Sequence, residues 1–191
     1  MALANEYEFG AAELTIGSIR GYRSWRLTVD GRLKALHQSG IWMPGENTAV
    51  CNGYPTAEQV PTVEGEHYTE THRKRETWRM NHEMSDCAHG FYAYFSPGKL
   101  DQAVTTATPV INGVIEGYGE VLVGSKGFRA TKARILAASI EPYMGMWTLA
   151  DFAIDRIRHN YPDVAFFDSA LLMALEYPAD EATKYQVPVA W

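Results

Sequence analysis

Only two cysteines occur in the 191 residues. Two thiols cannot build a disulfide framework, which sets the chain apart from small secreted scaffolds that depend on one. Long apolar runs are missing too. None approaches the roughly 18 residues that a membrane-spanning helix needs, and the longest candidate, Ala165 to Tyr177, is interrupted by Asp168 and Glu176. The opening MALANEYEFG has neither a basic stretch nor an apolar one, so it does not read as a secretory leader. A cytoplasmic protein with no membrane contact is the expectation. Positive charge is also in short supply, with 17 Lys and Arg against 23 Asp and Glu. From residue 141 onward the balance is 8 acidic to 3 basic, which argues against that quarter lying on nucleic acid or an anionic membrane.

What is present fits an ordinary globular chain: 46% hydrophobic and 21% charged residues, in a length suited to one core. The pattern predicts a single α+β domain. Residues 1–15 read as a loose arm, 16–140 as a mixed β core, and 141–191 as an acidic extension of two helices. Tyr22, Trp25 and Leu27, then Asp30-Gly31, then Leu33 and Leu36 read as strand, tight turn, strand, since Asp-Gly suits a hairpin turn. Ile41-Trp42-Met43 predicts a short strand stopped by Pro44-Gly45. Residues 52–81 are polar and read as a long excursion. An aromatic strand over 87–95, a short helix over 100–106, and strands over 110–123 (bent at Gly117-Tyr118-Gly119) and 128–140 follow. Beyond them Leu149, Phe152, Ile157, Phe166, Phe167, Ala170, Leu171 and Ala174 recur at helical spacing. Asp151 and Asp163 fall near the expected helix starts, where a carboxylate suits the dipole.

Cys51, His82, Cys87 and His89 are two thiols and two imidazoles, the ligand set of a closed structural zinc site. Residues i and i+2 of a strand share a face, so Cys87 and His89 are expected to aim at one ion, with Phe91 continuing that face. His82 returns through a polar turn, and Cys51 arrives from the far end of the excursion that the metal would staple. Four protein ligands leave no position for a water nucleophile, so the expected Zn2+ is structural. Two buried thiols near surface histidines, or a Cys87–His89 dyad, are the competing readings. The dyad is disfavoured because i and i+2 neighbours are poorly placed for proton transfer.

The run from Ile19 to Ile135 resembles a family of small uncharacterised proteins encoded by actinobacteria and their bacteriophages. The resemblance rests on a G-Y-R-x-W-R strand (Gly21 to Arg26) and on Trp42, Pro44, Gly45, Asn47, Ala49 and Cys51. It continues through His82, Cys87 and Gly90-Phe91-Tyr92-Ala93, then Gly113-Val114-Ile115-Glu116, Gly119, Val121 and Gly127-Phe128-Arg129-Ala130, and ends on Tyr185, Val187, Pro188 and Val189. Where the family pattern has C-x-C, this chain has His89 as the second member, an exchange of one zinc ligand type for another. The family brings no activity with it.

Three function classes follow. A non-enzymatic, phage-encoded or phage-related factor would engage a host protein through the last quarter, with Phe166, Phe167, Leu171, Leu172 and Met173 as the contact stripe; core packing of that stripe is the alternative. A nucleic-acid binder would use the basic cluster His72 to Arg79 with Trp78 inside it; a solvated loop is the plainer reading. An ADP-ribosyltransferase-like enzyme would place Glu116 and Glu120 beside a pocket near Tyr22 and Tyr92; edge charges are the plainer reading there. Arg20, Arg23, Arg26 and Arg129 sit near aromatic residues, for stacking or for an anionic ligand.

Overall fold

A computed structural model describes residues 13–14, 17–36, 40–50, 74, 89–99, 110–140 and 155–181. The described residues are α+β, with a large, mostly antiparallel sheet and helical segments that include 155–160 and Ala170–Glu176. Among the described residues, eight strands make the sheet: β1 (Glu13–Leu14), β2 (Ile19–Leu27), β3 (Leu33–Ala35), β4 (Asn47–Thr48), β5 (Phe91–Tyr94), β6 (Val110–Val123), β7 (Gly127–Ser139) and β8 (Ala165–Phe167). The described part of helix α1 is 155–160, and α2 is Ala170–Glu176.

The pairing closes on itself. β6 pairs with β2, β2 with β5 at Tyr22↔Tyr94, β5 with β7, and β7 again with β6, all antiparallel. A ring this small has a narrow interior, where large side chains fit only opposite small ones. Trp25 and Phe128 fill it, against Gly21, Gly113, Gly117, Ala93 and Ala130.

Two register shifts let β6 and β7 bend around this interior. Their trace is visible in β7, where the core positions run Phe128, Ala130, then Ala133, Ile135, then Ala138, slipping one residue at each shift. At the second shift Gly119 has φ +80° and the Glu120 N–H donates to Thr131 Oγ1 at 3.0 Å, so the amide that leaves the ladder keeps a partner. The expected bend at Gly117-Tyr118-Gly119 is therefore a bulge inside one continuous strand.

The β2–β3 hairpin is present, with Leu27 opposite Leu33. Its loop has three residues, 29–31, closed by Thr28 N–H to Arg32 O at 2.9 Å, and only Gly31 has positive φ (+75°). That is the three-residue hairpin with a left-handed last position, in place of the two-residue turn that Asp-Gly first suggests. Ile41 makes one bridge, to Lys34, instead of a strand; Trp42 is held by its N–H to Leu33 O at 2.8 Å. The predicted 100–106 helix, Leu149, Asp151 and Phe152 lie outside the described residues.

The described part of the last quarter, 155–181, is built into the core. Ile157 and Tyr161 pack among the interior residues, and Asn160 Nδ2 donates to the Asp30 and Gly31 carbonyls, both at 2.9 Å. Phe166 and Phe167 are strand residues, correcting the helical expectation: β8 runs parallel to β7 over Ala137 to Ser139. The helix waits for a capping residue, and Ser169 supplies it, extended at φ −144°, with its side chain accepting from Leu171 N–H. Asp163 lies in the turn before β8.

After α2 the chain fastens to β2. Asp180 N–H donates to Arg20 O at 3.0 Å, Arg20 N–H donates to Asp180 Oδ2 at 2.7 Å, and Ala179 N–H donates to the Tyr22 hydroxyl at 3.3 Å. The clasp uses the backbone groups of β2 that face away from β6, covering an edge that would otherwise be open to pairing.

Candidate functional site

Of the four expected zinc ligands, Cys51, His82 and Cys87 lie outside the described residues. His89 is half-buried just ahead of β5. Among the described residues, no group of three or more His, Cys, Asp or Glu is placed to hold a metal. The aromatic strand begins at Phe91, and Gly90 before it has φ +130°. His89 is therefore off the pleat, and i, i+2 alternation does not set where its imidazole points.

Two of the four arginines expected near aromatic rings, Arg23 and Arg129, place their guanidinium groups over such rings. Arg23 lies over the Trp42 ring, 5.0 Å from its centroid, and donates to Tyr92 O at 2.6 Å. Trp42 in turn packs on Trp25 and on Phe91, with centroids 5.3 and 4.7 Å apart. Arg129, buried, lies 5.8 Å from the Tyr92 ring centroid. Stacking across β2, β5 and β7 is what these geometries provide. Arg20 contributes its backbone to the clasp.

Glu116 is engaged on both oxygens. It accepts from Ser18 Oγ at 2.8 Å and from Arg134 Nε at 2.6 Å. Tyr22, expected beside it at a pocket, is 4% exposed and packs with Val114, Ala137 and Met173 under α2. Nearby, Lys132 Nζ and the Tyr118 hydroxyl both donate to Glu46, each at 3.0 Å. These bonds, that from Lys132 foremost, hold the Glu46 carboxyl below its ordinary value. Burial, followed by the bond to Glu46, pushes Tyr118 up. Of the basic 72–79 cluster, only Lys74 is described.

Helix α2 divides the expected contact stripe in two. Met173 is 0% exposed, and Ala170, Ala174 and Tyr177 at the same helical spacing are partly covered. Phe166 packs against the ring interior and Phe167 against the Met173 cluster. The other side of the helix carries Leu171, Leu172 and Leu175, exposed at 69, 56 and 71%. Core packing thus accounts for Met173 and both phenylalanines, but not for the leucines. Sequence reasoning passed over Leu175. Its signal was available, since it stands four residues from Leu171 and outside the 170, 173, 174, 177 spacing.

No helix among the described residues is long and apolar enough to cross a membrane. The chain matches no protein-family model, no curated protein and no solved structure at significant similarity.

Proposed function

We propose that this chain is a non-enzymatic binding protein, stabilised by zinc at Cys51, His82, Cys87 and His89, that engages a protein partner through the outward face of α2. In the phage setting that the family resemblance implies, the partner is a host protein in the cytoplasm. The observation that carries the reading is the exposure of Leu171, Leu172 and Leu175 on a helix whose other side is anchored by the fully buried Met173. Single exposed apolar residues are commonplace, but a contiguous helical group of them marks an interaction surface. Burying a leucine gains about 1.5–3 kcal/mol. Three partly exposed ones offer a gross gain on the order of 3–6 kcal/mol, enough for a hot spot.

A Leu171→Ser, Leu172→Ser, Leu175→Ser triple variant tests this. Removing outward side chains should leave thermal stability within about 1 kcal/mol of the parent. Affinity capture from the host should then lose a partner that the parent retains. The same proteins retained by both would count against the reading. Deleting the last quarter would be a poor test, because Ile157, Tyr161 and Met173 are part of the packing.

The zinc proposal rests on donor chemistry: two thiolates and two imidazoles suit Zn2+ and fill a tetrahedron. Untagged parent should carry about one zinc per chain by elemental analysis. Cys87→Ala and His89→Ala should lose both the metal and thermal stability. A folded, metal-free parent would contradict it.

A further inference from the structure

From 160 to 181 the chain has five carboxylates, Asp163, Asp168, Glu176, Asp180 and Glu181, and no lysine or arginine. Asp180 is committed to the clasp on Arg20. Asp168 stands just before the cap of α2 and Glu176 is its last residue, so exposed carboxylates bracket the leucine face at both ends. Arg158 is 4.0 Å from Asp168 with both side chains more than half exposed, a contact that water and salt largely screen. Glu176 is placed against the helix dipole, whose C-terminal end favours cations, and the last turn holds no basic residue. The folded chain leaves that unfavourable charge uncompensated within its own helix.

Resting on the proposed binding face, we infer that its occupant is a protein segment that presents an apolar stripe bordered by lysine or arginine. A second copy of this chain fits poorly, because a two-fold pairing of α2 faces would set carboxylates against carboxylates. An anionic bilayer meets the same repulsion. A basic border instead places cations beside Asp168 and Glu176, while the leucines enter the apolar stripe.

The test uses two fluorescent amphipathic helical peptides with one leucine stripe, flanked by lysine in one and by glutamate in the other. Each is titrated with the full-length chain, and anisotropy is read at low and high salt. The lysine peptide should bind at least about 10-fold tighter, and the gap should shrink as salt screens it. Leu171→Ser with Leu175→Ser should abolish its binding. Asp168→Asn with Glu176→Gln should remove only the gap. Equal binding of both peptides through the leucines would overturn the charge inference and leave the binding face standing. Lysine-peptide binding that ignores the leucine variants would sink the face itself. Leucine-dependent self-association in sedimentation, or leucine-dependent binding to phosphatidylglycerol vesicles, would replace the basic partner by a second copy or by lipid.

Discussion

Gly113→Val should leave the chain largely unfolded in urea concentrations that the parent survives, with a loss of about 3–5 kcal/mol. Overpacking usually costs about 1–3 kcal/mol, because neighbours can shift. Here they cannot. A Cβ at 113 would stand 2.5 Å from the Ala137 carbonyl oxygen and 2.6 Å from Trp25 Cζ3. The first is backbone of the paired strand β7, and the second belongs to an indole that is 0% exposed. Valine adds two methyl groups to a site without room for the first carbon. Against a total stability of about 5–15 kcal/mol typical of a domain, such a loss is most of the margin. Gly98→Ala is the matched control, since its Cβ would meet nothing nearer than Ser96 Oγ at 3.6 Å. Equal unfolding midpoints for Gly113→Val and Gly98→Ala would mean that Trp25 does not lie over Gly113.

Tyr161→Phe should cost about 2–4 kcal/mol, although it removes a single oxygen. The hydroxyl donates to Trp42 O at 2.6 Å and accepts from Leu33 N–H at 2.9 Å, in a site where the tyrosine is 1% exposed. Phenylalanine leaves one buried donor and one buried acceptor unsatisfied, each worth about 1–3 kcal/mol. The same group sets a pH dependence. Burial pushes the Tyr161 hydroxyl above its ordinary value of 10.0. Near and above that pH the unfolded chain gives up the proton first, so the native state binds more protons and stability falls as pH rises. The contribution is complete below about pH 10 and is lost as pH climbs through the raised native value. The stability gap between parent and Tyr161→Phe should be flat below that range and narrow above it. A gap of less than about 0.5 kcal/mol at neutral pH would remove Tyr161 as the tie between α1, the β2–β3 hairpin and Trp42.

Much of the fold could be read from local pattern. The hairpin at Asp30-Gly31 and the β-rich runs at 91–94, 110–123 and 127–139 rest on turn chemistry and strand propensity that neighbouring residues supply. Closure of the ring could not be read, because it depends on Tyr22 meeting Tyr94, on β2 meeting β6 and on β5 meeting β7, pairs far apart in sequence. Ala165-Phe166-Phe167 is too short an apolar run to separate strand from helix by period. Its parallel partner, Ala137 to Ser139, decides the matter. Nothing near Asp180 in the sequence marks its role, which comes from the backbone groups of Arg20, 160 residues away. Among the candidate site residues, the leucines stood in the sequence at helical spacing, but the division into an anchored side and an open side required knowing where Met173 goes. An extended C-x-H puts His89 on a strand face, and the positive φ of Gly90 takes His89 out of that pattern.

The most direct measurement on the binding face is site-specific photo-crosslinking in host cells. A benzophenone side chain is placed singly at Leu171, Leu172 and Leu175, and for comparison at Val29 and Val50, which are exposed at 74 and 76%. Irradiation should give the same heavier adduct from the three α2 positions and none from the two valines. Adducts from Val29 or Val50, or none from α2, would contradict the claim that this helix presents its leucines to a partner.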